Sequence, residues 1–337
     1  MEDIVIYRTL GKTGLMVSEV GFGCGNVGGL MVRGSFEAQV RAVEKAIHSG
    51  INYFDTAPSY GDGLSESNLG KVLTEIKPKV FVATKIHLRG ALNDISGNVR
   101  RSLESSLKRL DRDYVDVFQL HDGITERGGG GLSGETIGIY DVLGKGGVAD
   151  VFDDLRSEGL VRFTGFTGNG DTETLHSVVK SRRFEVIQTF YNLLNPSAGM
   201  EMPDGFRGHN FRQIIDRAAG HGMGVVVIRV MAAGAIGGPI ARQGYASPTI
   251  GSSMVTDSGY FSDEERALKL DFLLGGDLST RPKAAVRFAL MHTGVSTTLV
   301  GFSGEDQIQE AAVAVDANPF STELMVQLHE FWNDTSV

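Results

Sequence analysis

Cysteine is almost missing from this 337-residue chain: Cys24 stands alone, so no internal disulfide can form and stability must come from packing. Tryptophan occurs once, at Trp332, and there are only eight prolines. No run of about 18 apolar residues is present, the length a membrane helix needs. Positive charge is in deficit, with 32 Lys and Arg against 41 Asp and Glu, a net charge of −9 and no basic cluster to offset it. Such a balance argues against a nucleic-acid footprint. Met1-Glu2-Asp3-Ile4-Val5 carries two early acids and no apolar run, so it does not read as a secretory signal. The expectation is a cytoplasmic globular protein without a nucleic-acid or membrane partner.

Glycine is what the chain has in plenty, 45 residues or about 13%, with no three-residue period. Its abundance suits many tight turns and close backbone approach to a bound group. Val5–Ser18 reads as a hairpin about Gly11-Lys12-Thr13-Gly14. Eight short apolar strands then alternate with amphipathic segments: Val20–Gly23, Asn52–Asp55, Val80–Lys85, Val115–His121, Val161–Thr167, Val186–Phe190, Gly224–Arg229 and Thr297–Gly301. Helical segments are expected at Phe36–His48, Glu66–Glu75, Ile95–Leu110, Val148–Glu158, Thr172–Lys180, Phe211–Gly220, Arg281–Met291 and Thr322–Phe331. Gly21-Phe22-Gly23 begins a G-x-G, but no helix opens directly after it, so a doubly wound nucleotide fold is the weaker fit. The even repetition favours an α/β fold, a (β/α)8 TIM barrel formed as one domain over residues 1–337. Two long non-periodic insertions, Asp122–Gly147 and Ala232–Ser262, follow strands and so belong at the C-terminal face.

Three successive strands end in ionisable residues, Asp55, Lys85 and His121, and Tyr60 follows Asp55 by five residues. On a barrel the four converge at one mouth. A phenol titrates near pH ~10, too high for proton exchange at neutrality. A neighbouring Lys85 would lower that value, and Asp55 would keep the lysine charged. Tyr60 could then give a proton to a carbonyl oxygen, or take one from an alcohol, with His121 orienting that oxygen. None of these groups supplies hydride, so a nicotinamide cofactor is required. The remaining histidines show no metal-ligand spacing, and no metal is expected.

Phe54-Asp55-Thr56-Ala57-Pro58-Ser59-Tyr60-Gly61 with Ser65-Glu66-Ser67-Asn68-Leu69-Gly70, together with Leu10–Ser18 and Ala83-Thr84-Lys85, resembles the signature of the aldo-keto reductase superfamily. The resemblance implies the barrel, a hairpin plugging its bottom, NAD(P)H, and Asp55, Tyr60, Lys85 and His121 as a catalytic tetrad. It also implies cofactor contacts from Gly23, Thr167, Gln188, Gly301, Ser303, Gln307 and Glu310, with Gln188 on the nicotinamide carboxamide. Gly168 stands where the family has asparagine, so Asn169 either reaches over to the cofactor or caps a helix. Arg229 occupies the place of the usual stacking aromatic and could instead hold the pyrophosphate. Gly304 stands where NADPH-preferring members commonly carry arginine. With Glu305 and Asp306 beside it, the loop leans towards NAD(H) over NADP(H), although the family's common preference and Arg281, Lys283 and Arg287 on the preceding helix stand against this.

The expected activity is carbonyl–alcohol interconversion on a small molecule. Walls drawn from Asp122–Gly147, Tyr191–His209 and parts of Ala232–Ser262, glycine-rich and polar, point to a hydroxylated substrate such as a sugar. Two readings stay open beside it: a Schiff-base aldolase using Lys85, and a catalytically quiet regulatory subunit on the same barrel.

Overall fold

The computed structural model describes residues 6–88, 90–131, 134–206, 208–238, 244–247, 259–275, 278–313 and 319–334. Strands β1 (Tyr7–Thr9) and β2 (Met16–Ser18) form an antiparallel hairpin; Val5, expected at its start, lies outside the described residues. Eight parallel strands follow and close into a barrel: β3 (Val20–Gly23), β4 (Tyr53–Asp55), β5 (Phe81–Ile86), β6 (Val115–Leu120), β10 (Val161–Thr167), β11 (Val186–Phe190), β12 (Gly224–Ile228) and β13 (Thr297–Gly301), with β13 paired back onto β3. Each barrel strand coincides with an expected one to within two residues, because runs buried on both faces are apolar throughout.

The helices earn their places by periodicity and caps. In α2 (Phe36–His48), Ala38, Ala42, Val43 and Ala46 are buried, and the Ser35 side chain accepts from the Ala38 N–H. In α4 (Ile95–Leu110), Val99, Leu103, Leu107 and Leu110 face the barrel, and Asp94 caps the N-terminus by accepting from Gly97 N–H at 2.9 Å. Helices α3 (Leu64–Ile76), α6 (Val148–Ser157), α7 (Thr172–Ser181), α8 (Ile214–Gly220), α10 (Arg281–Met291) and α11 (Asp306–Val313) complete the ring. The helix expected from Phe211 begins three residues later, since Phe211 packs against Phe190 and His209 while Arg212 and Gln213 adopt positive φ.

Asp122–Gly147 is not irregular. It folds into β7 (Gly123–Thr125), β8 (Gly129–Gly131) and β9 (Gly134–Gly138), a small sheet, followed by the short α5 (Ile139–Leu143). Glycine strands pair through the backbone and leave no side-chain period to read. Within Ala232–Ser262, a 3-10 segment spans Ala232–Gly237 and helix α9 (Tyr260–Leu268) begins, while 239–243 and 248–258 lie outside the described residues. The last helix, α12 (Thr322–Asn333), is pinned by Trp332, whose indole N–H donates to Leu193 C=O at 2.8 Å.

The hairpin plugs the bottom of the barrel. Leu10, Leu15 and Val17 pack into a separate core with Tyr53, Ala83, Val117, Val186, Val226 and Leu299 of the barrel interior. Arg8 pairs with Glu19 and donates to Leu290 C=O at 2.8 Å and Val295 C=O at 2.9 Å, tying the plug to the end of α10. Gly11, at φ +51°, lies against the backbone of Gly222–Gly224, and Lys12 N–H donates to Gly222 C=O at 2.7 Å.

A Cβ at position 11 has no room, whereas Gly14, at φ +72°, has nothing within 4 Å of its would-be Cβ. Gly11→Ala should therefore lower the unfolding free energy by about 2–4 kcal/mol, and Gly14→Ala by only ~1 kcal/mol for the backbone alone. Urea denaturation of both variants checks this; equal losses would mean that the plug's close approach is not specific to Gly11.

Candidate active site

Strand register builds the site. Asp55 lies opposite Ala83, so Lys85, two residues further along β5, points inward on the same side. Lys85 in turn lies opposite Gln119, and His121 is two residues beyond, tied to the sheet by its N–H donating to Ile86 C=O at 2.8 Å. The three strand ends thus aim one row of polar side chains at the C-terminal mouth. Tyr60 arrives from the loop after β4, where a turn closes with Tyr60 N–H donating to Ala57 C=O at 3.1 Å. Thr56 and Ser65 hydroxyls lie 2.8 Å apart, and the Ser65 hydroxyl donates to Cys24 C=O at 2.9 Å, which fixes this loop to β3.

Lys85 is fully buried and is the centre of the cluster. Its ammonium forms an ion pair with Asp55 Oδ1 and donates to Thr56 C=O at 2.8 Å and to Tyr60 Oη at 3.2 Å. Asp55 Oδ2 accepts from Gln188 at 2.6 Å and from Gln119 at 3.3 Å. The His121 ring meets the Tyr60 ring edge-on at 5.9 Å and stacks on His87 at 4.2 Å. Burial pulls the Lys85 ammonium down, but Asp55 and Tyr60 outweigh it and the net shift is upward. Such an amine stays protonated and lacks the lone pair a Schiff base requires. Burial likewise raises Asp55 against the pull of Lys85 and its two amide donors.

The phenol corrects an expectation. Lys85 acts on Tyr60 in the lowering direction, yet burial is the larger effect and leaves the phenol above its ordinary value. Cys24 is buried beneath the mouth, its thiol pushed up by burial and by Asp55.

Above the cluster opens a cleft of about 860 Å³. Asp55, Tyr60, His121, Gly23, Thr167, Asn169, Gln188, Arg229, Gly301, Ser303, Gln307 and Glu310 all line it, and Lys85 lies beneath. Gly25 turns a bare backbone to the Tyr60 ring, 3.7 Å from where a Cβ would be, and Gly28 lies against Gly301 and Phe302 too closely for any side chain. The buried Thr167 hydroxyl has no hydrogen-bond partner among the described residues and faces this cleft. A long cleft with a glycine-lined wall and an unmatched hydroxyl fits a dinucleotide.

Details differ from expectation. Asn169 does not cap α7, whose N-cap is Asp171; its backbone carbonyl accepts from Ile124 N–H at 2.7 Å and holds the β7 segment, while the residue lines the cleft. Gln307 turns back to accept from Ser303 N–H at 2.8 Å, and Glu310 accepts from the Thr280 hydroxyl at 2.5 Å. Arg229 is half-buried at φ +58°, its guanidinium lowered by burial and coupled to Tyr60. Among the described residues the cleft's lining takes none from Asp122–Gly147 or from Tyr191–His209, because β7 pairs beside Gly170 and the loop after β11 folds down onto α12. The third expected wall is there: Ala233, Gly234, Gly237, Gly238, Ala246 and Tyr260 of Ala232–Ser262 line the cleft, joined by Val27, His87, Met231, Ser279 and Arg281. His87 was legible in principle: it continues the period-two row of Ala83 and Lys85. Gln119 was too, as the polar inward residue of an apolar strand.

A profile of the aldo/keto reductase family matches residues 19–333. The chain is 28% identical over 323 residues to an L-galactose dehydrogenase of Arabidopsis thaliana, covering 91% of this chain and 87% of that one. It is 25% identical over 330 residues to a D-threo-aldose 1-dehydrogenase of a Pseudomonas species, covering 89% of each. Its fold is similar to that of an aldo-keto reductase from Bacillus halodurans in its holo form, with a TM-score of 0.71, 24% identity, and coverage of 97% and 96% of the two chains.

Lys85→Met leaves Asp55 buried and unpaired. Stability at neutral pH should fall by about 3–5 kcal/mol, and the double variant with Asp55→Asn should recover part of it. Because the folded-state value of Lys85 is raised, its contribution is complete below its ordinary 10.5 and is lost as pH rises through the higher value. Denaturation across the alkaline range should therefore show a decline in the wild type that is smaller in Lys85→Met; identical pH curves would exclude a stabilising role for the pair.

Proposed function

The chain belongs to the aldo/keto reductase family, whose members carry out NAD(P)-dependent oxidoreduction, and from that premise we propose that it interconverts a sugar-like hydroxyaldehyde or lactol with its oxidised or reduced partner, using NAD(H). The observation that carries this reading is the Lys85 ammonium, bound at once by Asp55, Thr56 C=O and the Tyr60 hydroxyl on the floor of the cleft. Tyr60 gives its proton to the substrate oxygen in reduction and takes it back in oxidation. Lys85 stabilises the phenolate formed meanwhile, and Asp55 holds Lys85 charged. His121, edge-on to Tyr60, orients the same oxygen. Nicotinamide, when bound, supplies or accepts the hydride at the substrate carbon. Thr167, Asn169 and Gln188 would hold its ring end, and Gly301, Ser303, Gln307 and Glu310 the phosphate and adenine end, with Gly23 and Arg229 between.

The choice of a hydroxylated substrate draws on the two sugar dehydrogenases above and on a cleft without tryptophan. The choice of NAD(H) draws on the cations near the adenosine end. Arg281 lines the cleft but is held by Asp271 at 2.9 Å, and Arg41 of α2 is held by Glu305 at 2.9 Å. Neither stands ready for a 2′-phosphate, which wants a planar bidentate donor.

A turnover screen of aldoses, ketoses and simple aldehydes, run in both directions with both cofactors, tests the activity. Tyr60→Phe should keep cofactor affinity while turnover falls by a factor on the order of 10²–10⁴. In the wild type, oxidation should rise with pH through the alkaline range, since it needs the phenolate of a tyrosine held above its ordinary 10.0, whereas reduction should decline only above that value. Wild-type turnover in Tyr60→Phe would overturn the mechanism.

Cofactor choice is checked by comparing kcat/KM for NADH and NADPH. The wild type should prefer NADH, and Gly304→Arg should shift the ratio towards NADPH. Strong NADPH preference that Gly304→Arg does not change would mean that the phosphate is held elsewhere.

A further inference from the structure

His87 has no part in the proton transfer described above, yet the fold builds it into the site. It stands at the end of β5, two residues beyond Lys85, and lines the cleft beside Tyr60 and His121. Its ring is stacked on that of His121, centroids 4.2 Å apart and planes at 21°, and the His121 ring in turn meets Tyr60 edge-on at 5.9 Å. Its Nδ1 faces Asp122 Oδ1 at 3.7 Å. Asp122 is itself buried and fixed: its other oxygen accepts from Leu88 N–H at 2.7 Å. At 3.7 Å the contact is longer than a hydrogen bond, but a buried carboxylate anchored by the backbone favours the ring orientation that keeps Nδ1 towards it and Nε2 away from it.

We propose that His87, oriented by Asp122 and by its stack on His121, binds the hydroxyl on the carbon next to the reacting one, and so makes the site selective for α-hydroxy carbonyl compounds and their alcohols. The inference rests on the carbonyl–alcohol reading above and adds the feature by which the substrate is told from a plain aldehyde. With the reacting oxygen between Tyr60 and His121, a ring displaced from His121 by one stacking distance reaches the substituent one carbon along. Nε2 meets that hydroxyl as acceptor when the proton resides on Nδ1, or as donor when both nitrogens carry protons. Asp122 acts through His87 and is a positioning residue. A pocket built to bond a hydroxyl rejects the analogue without one, because its own polar atom is then left unmatched.

The test uses the full chain with NADH and a matched pair, 2-hydroxypropanal and propanal, which differ by one hydroxyl. The wild type should favour the hydroxylated aldehyde roughly ten-fold in kcat/KM. His87→Phe, which keeps a flat ring against His121 and removes both nitrogens, should bring the ratio close to one. Asp122→Asn should give an intermediate ratio. Should the phenylalanine variant not fold, His87→Asn, whose nitrogen stops short of the substrate, should lose the ratio in the same way. A ratio that survives in these variants, even where both constants fall, overturns the inference and leaves the stack a structural one; so does a wild type indifferent to the hydroxyl. If the wild type reduces neither aldehyde with either cofactor, the oxidoreductase reading fails and the inference with it. If it reduces both and His87→Phe keeps the ratio, the inference alone fails.

Discussion

The buried ion pair between Lys85 and Asp55 governs the mouth of this barrel. An ammonium removed entirely from water is tolerable only if each proton finds an oxygen. Here three oxygens do so, from Asp55, Thr56 and Tyr60. Asp55 needs donors of its own on the far oxygen, and Gln119 and Gln188 reach in from β6 and β11. One charge pair therefore ties together β4, β5, β6, β11 and the Tyr60 loop. Loss of either partner does more than remove an attraction, because it strands a charge at the centre of five chain segments.

The two ends of the barrel divide the labour. At the bottom, the interior meets the hairpin through Leu10, Leu15 and Val17, and the seal is so close that Gly11 touches the backbone of the β12 entry. At the top the same strands turn polar within one or two residues. Packing at the sealed end lets the open end carry a buried charge pair, an unmatched Thr167 hydroxyl and a wide cleft, each of which costs stability.

Much of this was written in the residues. The eight barrel strands were legible because burial on both faces gives unbroken apolar runs, and Asp55, Lys85 and His121 were legible because each ends such a run. Period-two register then does the rest: Ala83 opposite Asp55 and Gln119 opposite Lys85 bring the three to one side. What escaped was structure without a side-chain signature, above all the all-glycine strand β8 and the β9 strand that pairs with it. Also hidden was the balance of burial against charge at Tyr60, since a sequence names the neighbouring cation but not the depth of the phenol. Two of the cleft's three expected walls were misassigned for a related reason, while the third, Ala232–Ser262, does line it: loop length says that a loop follows a strand, but not which way it folds. Only the contacts of Asn169 with Ile124 and of Trp332 with Leu193 fix that.

Backbone strain is distributed in the same way. Lys77, Asp111 and Arg182 adopt positive φ, but each closes a helix, and its N–H caps a carbonyl of the preceding turn. That is ordinary helix termination. Arg229, Ala232 and Ala233 have similar angles for a different reason: they follow β12 directly and cap no α-helix, and the turn they form brings Arg229, Met231, Ala233 and Gly234 to the edge of the cleft. Left-handed backbone at non-glycine residues costs of order 1–3 kcal/mol where nothing local repays it. The run is held by its surroundings, with the Arg229 carbonyl accepting from the Asn192 amide at 3.0 Å and Ala232 fully buried. Small side chains at 232 and 233 keep the strain tolerable, and the turn delivers Arg229 to the side of Tyr60, where its charge acts on the phenol in the same direction as Lys85. The strained backbone and the buried charge thus serve one end: both bring positive potential to a single hydroxyl.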